Sequence, residues 1–131
     1  MIYEGQIVYT SLEDKPVKEN YVIEDAANFT DAEVQLTQRF GTLTGFDVVA
    51  LKRSRVKEIA NRRTDAKEAV WMAELQDAFV DDNGDTKYTK YKVLFHSTTF
   101  EMAKRFIYEY SSQGYDLELV SMKKTKFVDV L

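Results

Sequence analysis

Apolar residues recur along this chain with two periods, one of two residues and one near 3.6 residues. In residues 2–11, Tyr3, Ile7 and Tyr9 fall on alternate positions, which predicts a β-strand with these side chains on one face. The composition of 70–80 fits a strand and also allows a helix. The other predicted strands are 18–24, 45–52, 87–95 and 115–122, followed by two short ones at 56–60 and 126–130.

Two stretches have helical spacing instead. The first begins with Thr30 as the predicted N-cap, and Glu33 stands where a capping box requires it. The second covers residues 97–113, where Thr98 and Glu101 repeat the same arrangement. Both stretches are therefore predicted to be amphipathic helices with one apolar stripe.

Turn signals separate the first two strands of each half. Residues 12–17 contain the only proline, Pro16, and predict a turn. Asn83-Gly84 is a strong hairpin signal between the strands at 70–80 and 87–95. Each half is therefore predicted to begin with a β-hairpin.

The order of elements repeats along the chain. Shifting the sequence by 71 residues superposes Leu36 on Ile107 and Val56 on Phe127. We therefore predict a single α+β domain over residues 1–131, built from two ββαβ(β) repeats at 2–60 and 70–131 with a polar link at 61–69. It would have a mostly antiparallel sheet and two helices. Residues 45–113 can also be interpreted as four strands and a helix, an order found in modules that bind single-stranded nucleic acid.

Composition favours a soluble cytoplasmic protein. Charged residues make up 31% of the chain and hydrophobic ones 44%, and no apolar run is long enough to span a membrane. The chain has no cysteine, which excludes disulfides and thiolate chemistry. The net charge of −4 argues against binding of polyanions by bulk charge alone.

Cations nevertheless cluster at the ends of predicted strands. Tyr88 and Tyr91 alternate with lysines, and aromatic rings beside cations are typical of proteins that bind single strands. The candidate nucleic-acid-binding residues are Lys52, Arg53, Arg55, Lys57, Arg62, Arg63, Tyr88, Tyr91, Lys123, Lys124 and Lys126. Alternatively, the lysines form a solvated strand face or protect a sheet edge from aggregation.

Other polar residues give weaker signals. His96 is the only histidine, and a surface or helix-cap role is expected. Asp81, Asn83 and Asp85 match only the opening of a calcium loop, and Thr86 stands where such a loop needs glycine. The chain has none of the common catalytic or cofactor motifs. We therefore expect no enzymatic activity, no catalytic residue, no cofactor and no metal.

Three segments resemble a known family: residues 24–33 (EDAANFTDAE), 51–59 (LKRSRVKEI) and 128–131 (VDVL). The family is an uncharacterised domain-of-unknown-function family of gut Bacteroidetes, their phages and mobile elements. The resemblance covers nearly the whole chain and implies a phage or mobile-element origin, with host cytoplasm as the setting. It implies no activity.

The leading hypothesis is a non-enzymatic phage or mobile-element protein that engages single-stranded DNA or RNA through its basic strand ends. The alternative is a protein-interaction module that binds or inhibits a host factor through a tyrosine-bearing sheet face. A homo-oligomer fits either hypothesis.

Overall fold

The structure is a computed structural model that describes residues 1–61, 68–112 and 117–131. These ranges contain eight strands, which form two mostly antiparallel sheets, and two helices. The predicted α+β class is therefore confirmed. In chain order the elements are β1 (Tyr3–Thr10), β2 (Pro16–Ile23), α1 (Phe29–Phe40), β3 (Asp47–Arg53), β4 (Val56–Ile59), β5 (Ala69–Val80), β6 (Thr86–Ser97), α2 (Phe100–Ser112), β7 (Glu118–Lys124) and β8 (Phe127–Val130).

The chain divides into two compact units, of which the first is made of two separate segments and the second of one. The first unit contains Met1–Arg55 and Lys126–Leu131, and its sheet has the order β3-β1-β2-β8. The second contains Val56–Thr125, with the order β4-β6-β5-β7. Strand β4, which ends the first predicted repeat, therefore lies in the sheet of the second unit. Strand β8, which ends the second predicted repeat, lies in the sheet of the first unit. The predicted repeat boundaries do not coincide with the units, and a common origin of the halves remains a prediction.

The core of the first unit lies between its sheet and helix α1. Strand β1 pairs antiparallel with β2 and with β3, and β8 joins β2 in parallel. The predicted face of β1 is confirmed, because Tyr3 and Ile7 are buried in this core and Tyr9 packs against it. The remaining buried members of the cluster are Tyr21, Ile23, Ala26, Ala32 and Leu36.

The N-cap of helix α1 lies two residues before the predicted one. Asn28 is the N-cap, and its Oδ1 accepts a hydrogen bond of 2.8 Å from the N–H of Asp31. The Asp31 carboxylate in turn accepts from the N–H of Ala27 at 2.8 Å. The expectation that Thr30 caps the helix is therefore wrong, because the Asn28–Asp31 pair supplies a reciprocal cap one half-turn earlier.

The second unit repeats this arrangement of one helix on one face of a four-stranded sheet. Residues 69–80 form a strand, which settles the alternative between strand and helix. Trp71, Ala73 and Leu75 alternate along β5 and pack with Phe95 of β6 and Ile107 of α2. The indole N–H of Trp71 donates to the carbonyl of Ser97 at 3.0 Å, which satisfies its only buried polar group.

Helix α2 is shorter than predicted at its N-terminal end. Its first turn is capped by Thr99, whose hydroxyl accepts from the N–H of Met102 at 3.2 Å, and Thr98 is not the cap. Neither α1 nor the described part of α2 is long and apolar enough to cross a bilayer.

The predicted hairpin at Asn83-Gly84 is confirmed. Gly84 has a φ of +81°, which glycine adopts without a steric penalty. One carboxylate oxygen of Asp81 accepts from the N–H groups of Asn83 and Asp85, each at 2.9 Å. Asp81 therefore acts as a turn residue, as the hairpin interpretation expects.

Gly5 lies on the face of β1 that packs against helix α1. A Cβ atom at this position would stand 2.7 Å from Cδ1 of Leu36 and 3.4 Å from Cδ1 of Ile23. Leu36 is fully buried, so it has little room to move away. The close approach of helix and sheet therefore requires glycine here.

We expect Gly5→Ala to lower the free energy of unfolding by about 1–3 kcal/mol, because it overpacks the core. In a Leu36→Ala background the added methyl group fills vacated space, and the penalty should vanish or reverse. Urea denaturation of the two single variants and the double variant measures this coupling. An equal penalty in both backgrounds would show that the Gly5–Leu36 contact is not the cause.

Candidate nucleic-acid interface

Two polar residues, Gln6 and Asn20, lie in the middle of the first unit's sheet on the face away from α1. Gln6 is in register with Ala50 of β3 and Asn20 of β2, and Asn20 is in register with Phe127 of β8. Side chains in register share a face, so these four residues form one row across all four strands. The amide of Gln6 donates to the Asn20 side-chain oxygen at 3.3 Å.

This row forms the floor of an open groove with a volume of about 330 Å³. Lys52 and Lys126 both line the groove, and both are exposed. They stand at opposite edges of the four-stranded sheet, one on β3 and the other directly before β8. These two edge strands are three strand spacings apart, or about 14 Å. Glu4, the register partner of Lys52, adds one carboxylate. We call this surface, lined by Glu4, Gln6, Asn20, Ala50, Lys52, Lys126 and Phe127 together with Gly5 and Leu51, the polar groove.

The other basic residues of the first unit are exposed but do not line the polar groove. Arg53 is in register with Tyr3, whose side chain points toward α1, so Arg53 belongs to the opposite face from Lys52. Arg55 follows the end of β3, after Ser54, whose N–H donates to the carbonyl of Ile2 at 2.9 Å. The basic run is therefore divided between the two faces.

In the second unit, Tyr91 is covered by a lysine. The ammonium of Lys57 lies 4.2 Å from the centroid of the Tyr91 ring, a cation–π contact. The same ring is half-buried against the core beneath α2. Tyr91 therefore acts as a packing residue, and it does not offer an open ring for stacking on a base.

Tyr88 differs from Tyr91 in both face and exposure. It is in register with Ala78, and side chains alternate along β6, so Tyr88 and Tyr91 point to opposite faces. Tyr88 is 60% exposed. The two candidate tyrosines therefore do not share one face of β6.

Lys123 and Lys124 also diverge. Lys123 is in register with Met72 and Lys124 with Trp71, so the two exposed ammonium groups lie on opposite faces at the end of β7. Arg62 and Arg63 lie outside the described residues. Among the described candidates, Lys52 and Lys126 are the pair that the fold brings to one groove.

His96 is buried, and the expectation of a surface or cap histidine is wrong. Its side chain is 3% exposed, and its main-chain N–H donates to the side-chain oxygen of Asn61 at 2.6 Å. The amide of Asn61 returns a bond of 3.4 Å to the carbonyl of His96. Asn61 therefore anchors the chain after β4 to the end of β6, and His96 belongs to this junction.

Two tyrosines of the first unit, Tyr9 and Tyr21, have raised pKa values, and both interact with Glu19. Burial raises the pKa of Tyr21 well above its usual range, and the charge of Glu19 adds to the effect. A hydrogen bond to Glu19 raises the pKa of Tyr9 as well. The hydroxyl of Tyr21 donates to Glu19 at 3.3 Å. Both tyrosines are therefore neutral hydrogen-bond donors at physiological pH.

Metal binding has no support in the part of the chain that the structure describes. Within those residues no three carboxylate or histidine side chains come together in a way that could hold an ion. The Asp81 carboxylate accepts backbone N–H groups of its own turn. Glu58 and Asp129, which occupy equivalent places after the basic runs, lie on the short strands β4 and β8.

Sequence reasoning found the cations of the polar groove and missed its floor. Gln6 and Asn20 gave no motif, although Glu4, Gln6 and Val8 alternate with the core face of β1 and so mark its second face. Phe127 could not be assigned to this sheet, because the pairing of β8 with β2 joins residues more than a hundred positions apart.

The model of a family described as Domain of unknown function (DUF4494) matches residues 1–131 of the chain. No curated protein matches the chain.

We expect Tyr91→Ala to lower the free energy of unfolding by about 1–3 kcal/mol, because it removes a half-buried ring from the core. Tyr88→Ala should change it by less than about 0.5 kcal/mol, because the ring is largely solvated. Urea denaturation measures both. Equal losses for the two variants would contradict the assignment of the tyrosines to different faces.

The pKa of Tyr21 predicts a stability loss in alkali. A tyrosine with a raised folded-state pKa contributes its full stability below the unfolded value near 10 and loses it as the pH rises further. We expect the free energy of unfolding to fall between about pH 9.5 and 11.5, and Tyr21→Phe to fall less steeply. Parallel slopes for the two proteins in urea titrations across this range would contradict the assignment.

Proposed function

The chain belongs to the DUF4494 family, and we propose that this member is a non-enzymatic protein that binds single-stranded DNA or RNA. The observation that carries the proposal is the polar groove. It brings together one lysine from each of the two basic strand ends, although Lys52 and Lys126 are far apart in sequence.

The chemistry of the polar groove suits a nucleic-acid strand better than a small metabolite. Two ammonium groups flank a floor with side-chain amides, and amides donate to and accept from base edges. The groove is open, and it crosses strands instead of ending in an enclosed cavity. A strand lying along it would contact Lys52 and Lys126 through phosphates and the Gln6–Asn20 pair through a base.

Single-stranded nucleic acid is the better ligand than a duplex. Duplex recognition usually inserts a helix or ribbon into a groove of the nucleic acid, whereas a concave sheet surface accepts a strand with its bases splayed. The acidic net charge of −4 limits the number of phosphates contacted, so affinity would depend on a short, local contact.

The setting of this activity follows from the resemblance in the sequence. A protein of phage or mobile-element origin would meet single-stranded intermediates in the cytoplasm of its host. We include that origin and location in the proposal, and recovery of the protein from the cytoplasm of native cells tests them.

We expect the fluorescence anisotropy of a fluorescein-labelled oligodeoxythymidylate to rise when this protein is added. A duplex of the same length should bind more weakly. With two phosphate contacts, the slope of log K against log salt concentration should be about −1.4. RNA of the same length distinguishes the two nucleic acids. No binding at low salt and micromolar protein would reject the proposal.

A matched pair of variants tests the polar groove itself. Lys52→Glu should weaken binding roughly tenfold, because it replaces an attraction to phosphate by a repulsion. Arg53→Glu changes the charge equally on the neighbouring residue but on the opposite face, and it should leave binding within about twofold. Equal losses for both variants would show a general charge effect and no groove. Melting temperatures of both variants check that the fold is unchanged.

A protein-interaction module is the second candidate, and a separate observation favours it. The far end of the β5–β6 hairpin exposes apolar side chains: Phe79 is 47%, Val80 68% and Tyr88 60% exposed. Exposed aromatic residues on a protruding element are typical of protein contacts. Co-purification from native cells, with identification of bound nucleic acid and protein, separates the two candidates.

A further inference from the structure

The β5–β6 hairpin extends well beyond the strands that flank it. The two strands pair over 12 positions, from Ala69↔Ser97 to Val80↔Thr86. On the outer side of β6, strand β4 pairs only with Lys92, Val93 and Leu94. Among the described residues no strand pairs with the outer edge of β6 from Thr86 to Lys90, which we call the open edge.

The open edge differs from the corresponding part of the first unit. The hairpin β1–β2 has strands of only 8 residues. Its end is held by the loop before β3, because the N–H of Thr10 donates to the carbonyl of Thr44 at 2.7 Å. The second hairpin is longer and its open edge has no such bond within the described residues. A strand edge left open in this way presents backbone N–H and C=O groups to a partner.

The side chains at the open edge are basic and aromatic. Lys87 and Lys90 lie on it, and Lys92 and Lys57 follow where β4 begins. Tyr88 is exposed on one face of the hairpin, and Phe79, in register with Lys87, is exposed on the other. An added strand would therefore find an exposed aromatic ring and one lysine on each face. The ammonium of Lys87 also lies 3.9 Å from a carboxylate oxygen of Asp81.

These charges decide which kind of strand fits. Lysines on an edge disfavour pairing with another copy of the same edge, because like charges would face each other. Nucleic acid cannot add to the open edge as a strand, because it lacks the alternating backbone N–H and C=O groups that pair with such an edge. A strand with acidic side chains forms favourable cross-strand pairs with the lysines and still satisfies the backbone groups.

We propose that the open edge of β6, Thr86–Lys90, is a docking site for an extended acidic segment of a partner protein, which adds as a further strand next to β6 and in line with β4. The proposal rests on the second candidate function and names the site and the chemistry of the partner. Backbone hydrogen bonds supply affinity, and the lysines select acidic partners. Tyr88 and Phe79 contact apolar residues of the segment on the two faces.

The test uses the full chain and a fluorescein-labelled octapeptide that repeats two glutamates followed by two valines, so that an extended strand carries glutamate on both faces. We expect saturable binding by anisotropy, and slower deuterium exchange of the backbone amides of residues 86–90 when the peptide is present. The same peptide with lysine in place of each glutamate is the control for sequence-independent association. Equal binding of the two peptides, or binding of the acidic one without protection at 86–90, overturns the proposal.

Charge-reversal variants locate the contact. Lys87→Glu combined with Lys90→Glu should weaken binding of the acidic peptide at least about tenfold, because each change replaces an ion pair by a repulsion. Lys15→Glu combined with Lys104→Glu changes the net charge equally at exposed sites elsewhere and should leave binding within about twofold. Equal weakening in both double variants overturns the proposal.

An oligodeoxythymidylate serves as the competing ligand. If it protects residues 86–90 and the acidic peptide does not, the open edge binds nucleic acid and the proposal is wrong. If both peptides fail to bind while the Lys52→Glu effect on the oligonucleotide holds, the docking site is rejected and the polar groove stands.

Discussion

The parallel pairing of two short strands is the constraint on which this structure depends. Strand β8 closes the first unit beside β2, and β4 closes the second beside β6. Parallel neighbours need a long crossover between them. For β2 and β8 that crossover includes the whole second unit, because β2 ends at Ile23 and β8 begins at Phe127. The N–H of Leu131 then donates to the carbonyl of Val22 at 2.7 Å, which fixes the C-terminal end of the chain at the first sheet. The polar groove exists only because of this closure, since Phe127 and Lys126 form one of its sides.

Local structure was predictable from the sequence wherever the residues fitted only one structural pattern. The alternation of Tyr3, Ile7 and Tyr9 assigned the core face of β1 correctly. In a strand, apolar residues at every second position all point to the same face, so only one face can be the buried one. The cap of α1 was less certain, because Asn28-x-x-Asp31 and Thr30-x-x-Glu33 both satisfy the capping-box spacing. The sheets joined by β4 and β8 could not be predicted. A strand of 4 residues carries too little alternation to identify its partner.

The candidate site illustrates the same limit at the level of side chains. Lys52 and Arg53 are neighbours in sequence and so lie on opposite faces of β3, and Tyr88 and Tyr91 are separated by an odd number of residues on β6. The alternation of side chains along a strand is therefore enough to place the members of each pair on opposite faces. A basic run within a strand is for the same reason divided between two faces. The polar floor formed by Gln6 and Asn20 was not predictable in this way, because it depends on the register between two strands.

Charge balance explains why a short contact is the arrangement that this fold can support. The first unit carries 10 acidic side chains against 7 basic ones, so its long-range field repels polyanions. Within a Debye length of about 8 Å, however, the local ammonium groups dominate over distant carboxylates. A ligand that touches only the polar groove meets Lys52 and Lys126 together with the single carboxylate of Glu4. The same argument applies to the open edge, where Lys87 and Lys90 act on a neighbouring strand at cross-strand distance. An acidic protein with local cations therefore favours specific, close-range partners, and each such contact is the more sensitive to the reversal of one lysine.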